Sequence, residues 1–286
     1  MPSVKRSPFF NWFAVPSLVP GLMLVGALIA LFQYGFRQYL PGSIEVGGFT
    51  LDNAARLGRP VYLRVFIDSL YYAALTATGA LILGYPLAFA MVRSKSSLFR
   101  SVILIIAISP LFTSDIVRNY AWLVVLGKNG LVNTTLIAVG IIDQPLAILY
   151  TPLAVIIALI QHAIPIVVVI LAAALSHIDS SYERAAEGLG AGTFRIFLHV
   201  TLPLSMPGIL SSFITIFAWT LSAFATPQLV GGGRVVMIAN LVYNAGFASF
   251  NLPLAAMLSL AALALTMLVL GILRLLAGRL ERMGAH

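Results

Sequence analysis

"ERAAEGLGAGTFRIFLHVTLPLSMPG", residues Glu183 to Gly208, interrupts a chain that is otherwise mostly apolar. The stretch is charged at its start, small in its middle and proline-bearing at its end. Its neighbours, 147–175 and 207–229, are apolar runs long enough to cross a membrane. Ser180 followed by Glu183 reads as a capping box, so a helix is expected from about Ser181 through Ala185 and Ala186. Gly188, Gly190 and Gly192 are expected to break it. Thr193 then stands ready to cap a second short helix, "FRIFLHV", with Phe194, Phe197 and Leu198 on one face. Pro203 and Pro207 end that helix and open the next span, because proline suits a first helical turn. The expected unit is two short helices around a glycine corner, lying across one membrane face. Small side chains at Ala185, Ala186 and Gly190 leave room for another protein to approach. On these residues alone, an interfacial amphipathic helix accounts for the pattern as well as a docking segment does.

The composition explains what this stretch interrupts. The 286-residue chain is 60% hydrophobic and 9% charged, with a mean hydropathy of +1.00. Soluble domains carry roughly 25% charged residues. The apolar runs do not alternate as the strands of a membrane barrel do, so the spans are helices, whose backbone is satisfied internally in lipid. The fold class is therefore all-α and polytopic, with six spans at about 14–36, 66–92, 101–126, 147–175, 207–229 and 252–277. The absence of cysteine excludes a disulfide scaffold and a cysteine-ligated metal. A net charge of +8 is accounted for by Lys and Arg flanking spans, and no nucleic-acid partner is needed to explain it.

Lys5 and Arg6 precede the first span, and no small-residue cleavage site follows it, so it reads as an uncleaved span. Six spans return both termini to one side. Lys5, Arg6, Arg93, Lys95, Arg100, Arg184, Arg195, Arg274, Arg279 and Arg282 then fall on that side. The smaller set of Arg37, Arg56, Arg59, Arg64, Arg118, Lys128 and Arg234 falls on the other. The bias makes the first side cytoplasmic, most clearly in the short segments "RSKSSLFR" and "RLLAGRLER". The expected organisation is a cytoplasmic tail 1–13, a membrane domain 14–277 with a cytoplasmic loop at 176–206, and a cytoplasmic tail 278–286. Outside, 37–65 is expected to hold a short helix, 127–146 an interfacial apolar segment, and "LVGGGRVV" a flexible turn.

Glu183-x-Ala185-Ala186-x-x-x-Gly190, followed by Val200-x-Leu202-Pro203, resembles the EAA loop of ABC importer permeases. The resemblance extends over most of the chain, through "SLYYAALTATGALILGYPLAFAM", "VRNYAWLVVLGKNGLVN" and "TPQLVGGGRVVMIANLVYNAGF", and is to the spermidine/putrescine type. Arg184 stands where the motif expects its Glu. The resemblance implies the type I ABC importer permease fold in a bacterial inner membrane. It also implies a loop that couples to a cytoplasmic ABC ATPase dimer through Glu183, Ala185, Ala186, Gly190, Phe194 and Pro203. Further implied partners are a second, homologous but different permease chain, an extracytoplasmic solute-binding protein, and membrane lipid. No G-x-x-x-x-G-K-[ST] string occurs, so ATP and Mg are expected on the partner ATPase, and this chain is expected to have no catalytic residue, cofactor or metal of its own. "GLGAG" follows a span rather than a strand and is not a nucleotide loop.

Ionisable residues within spans are functional candidates by default. Asp115, Asn119 and Trp122 recur at helical spacing, and a carboxylate beside an aromatic ring suits an organic cation. Arg118, three residues on, offers Asp115 a partner within the helix, so two readings stand. Thr215, Trp219, Ser222 and Thr226 form a second polar stripe, either lining a path or hydrogen-bonding between helices. His162, beside Gln161 and near Pro165, is expected to be satisfied by a carbonyl that the proline frees. Asp68 is expected to be solvated. The expected activity is ATP-driven import of a polyamine or similar small organic cation. The alternatives are a permease for another small solute, such as a phosphonate, an amino-acid derivative or a metal ion, and an ion-gradient-driven transporter.

Overall fold

The computed structural model of the chain describes residues 8–43 and 45–283. Lys5 and Arg6 lie outside the described residues, as do the side chains of Arg279 and Arg282. The chain is helical almost throughout. In order come α1 (Pro8–Gly35), a hairpin of β1 (Arg37–Tyr39) and β2 (Val46–Phe49), α2 (Asp52–Leu57), α3 (Pro60–Arg93) and α4 (Ser97–Ile108). A 3-10 turn (Ser109–Phe112) leads to α5 (Asp115–Leu126), α6 (Leu131–Ala138) and α7 (Pro152–Ser176). Then follow α8 (Ser181–Gly188), α9 (Thr193–Ile196), a π turn (Phe197–Thr201), α10 (Leu202–Leu204) and α11 (Met206–Leu221). The chain closes with α12 (Ala225–Leu229), α13 (Ile238–Tyr243), a second π turn (Asn244–Ala248) and α14 (Leu252–Met283). Among the described residues, five helical segments are long and apolar enough to cross a membrane: Leu18–Gly35, Pro60–Arg93, Asp115–Ala138, Pro152–Ser176 and Leu252–Leu275; the third joins α5 to α6 and takes in the start of the segment expected outside at 127–146. The number is six if the pair Thr193–Leu204 and Met206–Leu221, bent by 64°, is counted as one span.

Two expected spans differ from this. The third, 101–126, is not one helix. Pro110 has no amide to donate to the Ile106 carbonyl, and the Ser109 hydroxyl takes that acceptor at 3.5 Å instead. Thr113 and Ser114 are extended before α5 begins. The fifth, 207–229, stops at Leu221, and α12 is separate. Helical starts follow local chemistry more closely. The Thr151 side chain accepts from the Ala154 amide at 3.3 Å with Pro152 in the first turn of α7, and Ser96 does the same for Phe99 at the head of α4.

The chain falls into two compact units. The first holds residues up to 63 and 241–264. In it the antiparallel hairpin pairs Arg37 with Phe49 and Tyr39 with Val46. That hairpin, in addition to the expected short helix, occupies the 37–65 segment. Asn53, buried at the head of α2, donates to the carbonyls of Gly35 and Arg37 at 3.0 and 2.9 Å, which pins the hairpin to the end of α1.

The second unit holds 64–240 and 265 onward, and α7 is its core. Val155, Leu159, Val167, Val168, Leu171 and Leu175 are fully buried. Glycines bring the neighbouring helices against it. A Cβ at Gly79 would meet Ile160 at 2.5 Å, one at Gly84 would meet Val167 at 2.7 Å, and one at Gly208 would meet Ala174 at 2.4 Å. Small residues at helix crossings are how apolar helices gain close packing where water supplies no driving force. In the 127–146 segment, buried Asn133 donates to the carbonyls of Gly127 and Leu146 and accepts from the Leu146 amide, which holds α6 in place. The "LVGGGRVV" turn is closely packed at Gly232. Gly232 has a positive φ, and a Cβ there would lie 2.2 Å from the Tyr150 ring.

Candidate functional site

The connector between α7 and α11 carries the motif. Its corner is built as expected, and for a clear reason. Gly190 has φ +85°. The Gly190 amide donates to Glu187 O at 2.9 Å and the Ala191 amide to Ala186 O at 3.1 Å. That is the Schellman ending of a helix, and its left-handed residue favours glycine. Nothing lies within 4 Å of a Cβ at Gly190, so the constraint there is conformational and not steric.

The caps differ from expectation. Ser180 makes no side-chain cap; its hydroxyl accepts from Arg184 at 2.5 Å. Asp179 performs the capping instead, accepting from the Ser181 amide at 2.8 Å. That backbone bond, followed by one from the Ser181 side chain, holds the Asp179 carboxyl below the usual carboxylate range. Thr193 does not cap α9; Gly192 occupies the cap position, with no side-chain bond.

Glu183 is released from the capping box and turns toward α3. Its Oε1 accepts from Arg93 Nε at 3.2 Å and from the Thr201 hydroxyl at 3.0 Å, and lies 3.1 Å from Arg93 Nη2 in an ion pair. Arg93 Nη2 also donates to Ile178 O at 3.0 Å. Both charged side chains are only 19% exposed. Nearby, Tyr85 and Ser205 share a hydrogen bond of 2.9 Å, and the Phe197 ring meets Tyr85 and Phe89 edge-on. Ala185, Gly190, Phe194 and Pro203 are exposed and Ala186 is half-buried. Leu189 at 90% and Phe194 at 75% are among the most exposed large apolar side chains described. A cleft of about 580 Å³ opens beside Phe194, lined by Phe89, Glu183, Glu187, Thr193, Phe194 and Phe197.

The second set of expected residues is not brought together as the spacing implied. Asp115 is 68% exposed at the head of α5, and Arg118 lies 3.8 Å away with its side chain only 11% exposed. The Arg118 guanidinium is committed mainly to the carbonyls of Pro110 and Thr113. Asn119 is fully buried and donates to Asp115 O, so it does not share an open face with the Asp115 carboxylate. Trp122 reaches across to Gln161 on α7 at 3.4 Å. Thr215, Trp219, Ser222 and Thr226 do not share one helical face, because α11 ends at Leu221. Thr215 and Ser222 are exposed and bond to Ser211 O and Trp219 O within their own turns. Thr226 is buried. The Trp219 ring stacks on His162 at 6.4 Å. His162 is buried and bonds through Nδ1 to Ala158 O at 2.7 Å, the carbonyl one turn back rather than one freed by Pro165. Its Nε2 has no partner among the described residues. Asp68 is 42% exposed and pairs with Arg64 at 3.8 Å.

Sequence reasoning counted Arg93 as a flanking charge and took Arg118 only as a possible partner for Asp115. It passed over Tyr85, Thr201 and Ser205 entirely. Their roles depend on contacts between residues as far as 120 positions apart, as with Tyr85 and Ser205. The only local sign was Glu183 itself, a carboxylate that a capping box need not consume.

The fold is that of ABC importer membrane subunits. It matches a chain of a bacterial ABC transporter for the acidic polysaccharide alginate with a TM-score of 0.76 at 17% identity, covering 94% of this chain and 96% of that one. It matches a chain of the MetNI methionine ABC transporter with a TM-score of 0.55 at 19% identity, covering 78% and 95%. Residues 80–282 match the family described as "binding-protein-dependent transport system inner membrane component", and the chain belongs to that family. Relatives include the spermidine/putrescine transport system permease protein PotB of Haemophilus influenzae, 32% identical over 251 residues, which are 88% of this chain and 85% of that one. PotB of Escherichia coli K12 is 31% identical over 232 residues, 81% and 82% of the two chains. The protein is thus a multi-pass inner-membrane permease subunit of an ABC importer.

Proposed function

We propose that this permease imports a polyamine or similar small organic cation, driven by a cytoplasmic ABC ATPase dimer that docks on the 176–206 loop. In this reading both termini are cytoplasmic. The membrane domain takes up 14–277, and the segments 1–13 and 278–286 are tails. A second, homologous but different permease completes the pathway, and an extracytoplasmic binding protein delivers the solute. ATP and Mg act on the partner, and this chain contributes movement between inward- and outward-facing arrangements.

The observation that supports docking most strongly is the glycine corner. A Schellman turn presents Leu189 and Phe194, both strongly exposed, on a segment whose neighbours are apolar spans. Large exposed apolar side chains beside small residues are characteristic of a surface that a partner covers. Similarity to the PotB proteins supports the polyamine substrate, and so does the exposed Asp115 carboxylate beside the apolar face of α5. An exposed carboxylate attracts a cationic solute.

The test is reconstitution of the chain with its encoded partners in proteoliposomes. ATP-dependent spermidine uptake that requires the binding protein is the expected result. Uptake driven by an ion gradient without ATP would overturn the ATPase reading. Tight binding of another solute class by the binding protein would overturn the substrate.

A further inference from the structure

The connector is joined to the bundle by two chain segments, and each is a place where the chain bends. Residues 177–180 lie between α7 and α8 without continuous helix. At the other end stand the π turn, Ser205 and the 64° bend into α11. Chain connectivity alone would leave the connector free to swing on these two ends.

Arg93, the last residue of α3, touches one end directly and reaches the other through Glu183. Nη2 holds the Ile178 carbonyl in the first segment. Nε and Nη2 hold Glu183 on α8, and the same Glu183 oxygen holds Thr201 in the π turn. The planar guanidinium supplies the several donors this needs, which a lysine ammonium on a flexible stem does not match in geometry. The end of α3 is itself fixed, because Gly84 and Gly79 seat α3 against Val167 and Ile160 of α7. Tyr85, two turns back on α3, bonds Ser205 at the bend. The motif acid at Glu183 is therefore occupied within the chain, while Tyr182, Leu189 and Phe194 stay exposed for a partner.

We propose that Arg93 is a positioning residue for ATP-driven transport: through Glu183 it locks the connector to the span bundle, so that displacement of the connector moves the bundle instead of swinging the connector. The proposal rests on the docking role of the loop given above, and its consequence is separable from that role. Loss of the lock should leave ATPase docking and hydrolysis in place while separating hydrolysis from uptake.

The chain has no native cysteine, so Leu83→Cys on α3 and Ser181→Cys on α8 can carry spin labels without background. In nanodiscs the native clasp is expected to give a narrow inter-label distance that is the same with and without vanadate-trapped nucleotide. The double variant Arg93→Met/Glu183→Met strands no buried charge and should fold. Its distance distribution should broaden, and spermidine taken up per ATP hydrolysed should fall roughly tenfold, a size within the usual range for a coupled pair. Arg93→Lys should fall between. A narrow distribution with native uptake per ATP in the double variant would overturn the proposal, since a merely structural ion pair is restored by removing both charges. If the double variant does not insert, Glu183→Gln, which can still accept from Thr201, supports the same comparison. Failure of any ATPase to co-purify with the native chain would sink the docking role, and the label distance in the permease alone would still decide the clasp.

Discussion

Two helix breaks, each closed by an arginine, behave differently. At Ser109–Ser114 the chain leaves α4 through a proline, and Arg118 returns from α5 to hold the carbonyls of Pro110 and Thr113. At Phe197–Ser205 the chain bends by 64° into α11, and the arginine that serves the region is Arg93 on α3, some ninety positions from Glu183. Each arginine also faces one carboxylate, Asp115 at 3.8 Å in the first case and Glu183 at 3.1 Å in the second. The first break is closed within its own few residues and makes a fixed joint. The second is closed across the bundle, so any movement of the connector is felt at the end of α3. Sequence distance between the arginine and its carbonyls separates a stationary kink from a transmitting one.

Arg118→Met should have the largest effect. It leaves two backbone carbonyls without their donor in a span, and the side chain is nearly buried, so the loss is about 2–4 kcal/mol. Thermal unfolding in detergent should show it, together with proteolytic nicking near 109–114. Native stability in this variant would mean that the joint does not depend on the arginine. Gly190→Leu should come next. Forcing a branched residue into the left-handed corner costs about 1–2 kcal/mol locally. Insertion should persist, but the ATPase should detach and uptake should fall roughly five- to thirtyfold by the affinity such a strain removes. Normal uptake would remove the corner from the docking surface.

Thr201→Val sharpens the comparison at the second break. It deletes one of the two hydrogen bonds to Glu183 and leaves the arginine in place. A cost of about 1 kcal/mol is expected, seen as a two- to fivefold loss of uptake per ATP. Asp115→Asn should be milder. The pair is long and the carboxylate mostly exposed, so stability should change by less than about 0.5 kcal/mol. A raised KM for spermidine at unchanged stability would mark Asp115 as a substrate contact. An unchanged KM would leave it only as a neighbour of Arg118. The smallest effect concerns pH. Because the Asp179 carboxyl is held below its ordinary range, its cap is present above the unfolded carboxylate range and is lost as pH falls through the lower folded value. The start of α8 should therefore keep its order at mildly acidic pH and fray only in strong acid, which amide exchange at Ser181 would report.

Much of this was legible in residues 183–208. The Schellman corner needs a residue tolerant of positive φ after a short helix, and "GLGAG" supplies one, so the corner and the two short helices follow from local chemistry. Spans two, four and six were legible from apolar length alone. The third failed because Ser109–Ser114 reads as apolar and short, and the chain breaks there only because a proline amide is missing and an arginine is near enough to serve the carbonyls. The capping box failed because Glu183 had two possible destinations and the stronger one, Arg93, lies on another helix. The polar stripe 215–226 failed because the helix ended inside it, at Leu221.

The glycine run at 231–233 has a practical consequence. The Tyr150 ring fills the space where a side chain on Gly232 would go, and the Tyr150 amide donates to Val230 O, so this turn leaves no room for added chain. The hairpin tip at Gly42 has a positive φ with nothing within 4 Å of a Cβ. An epitope inserted beside Gly42 should be tolerated where one at Gly232 would not be. An antibody to that tag, applied to intact spheroplasts, would report which side of the membrane the hairpin faces.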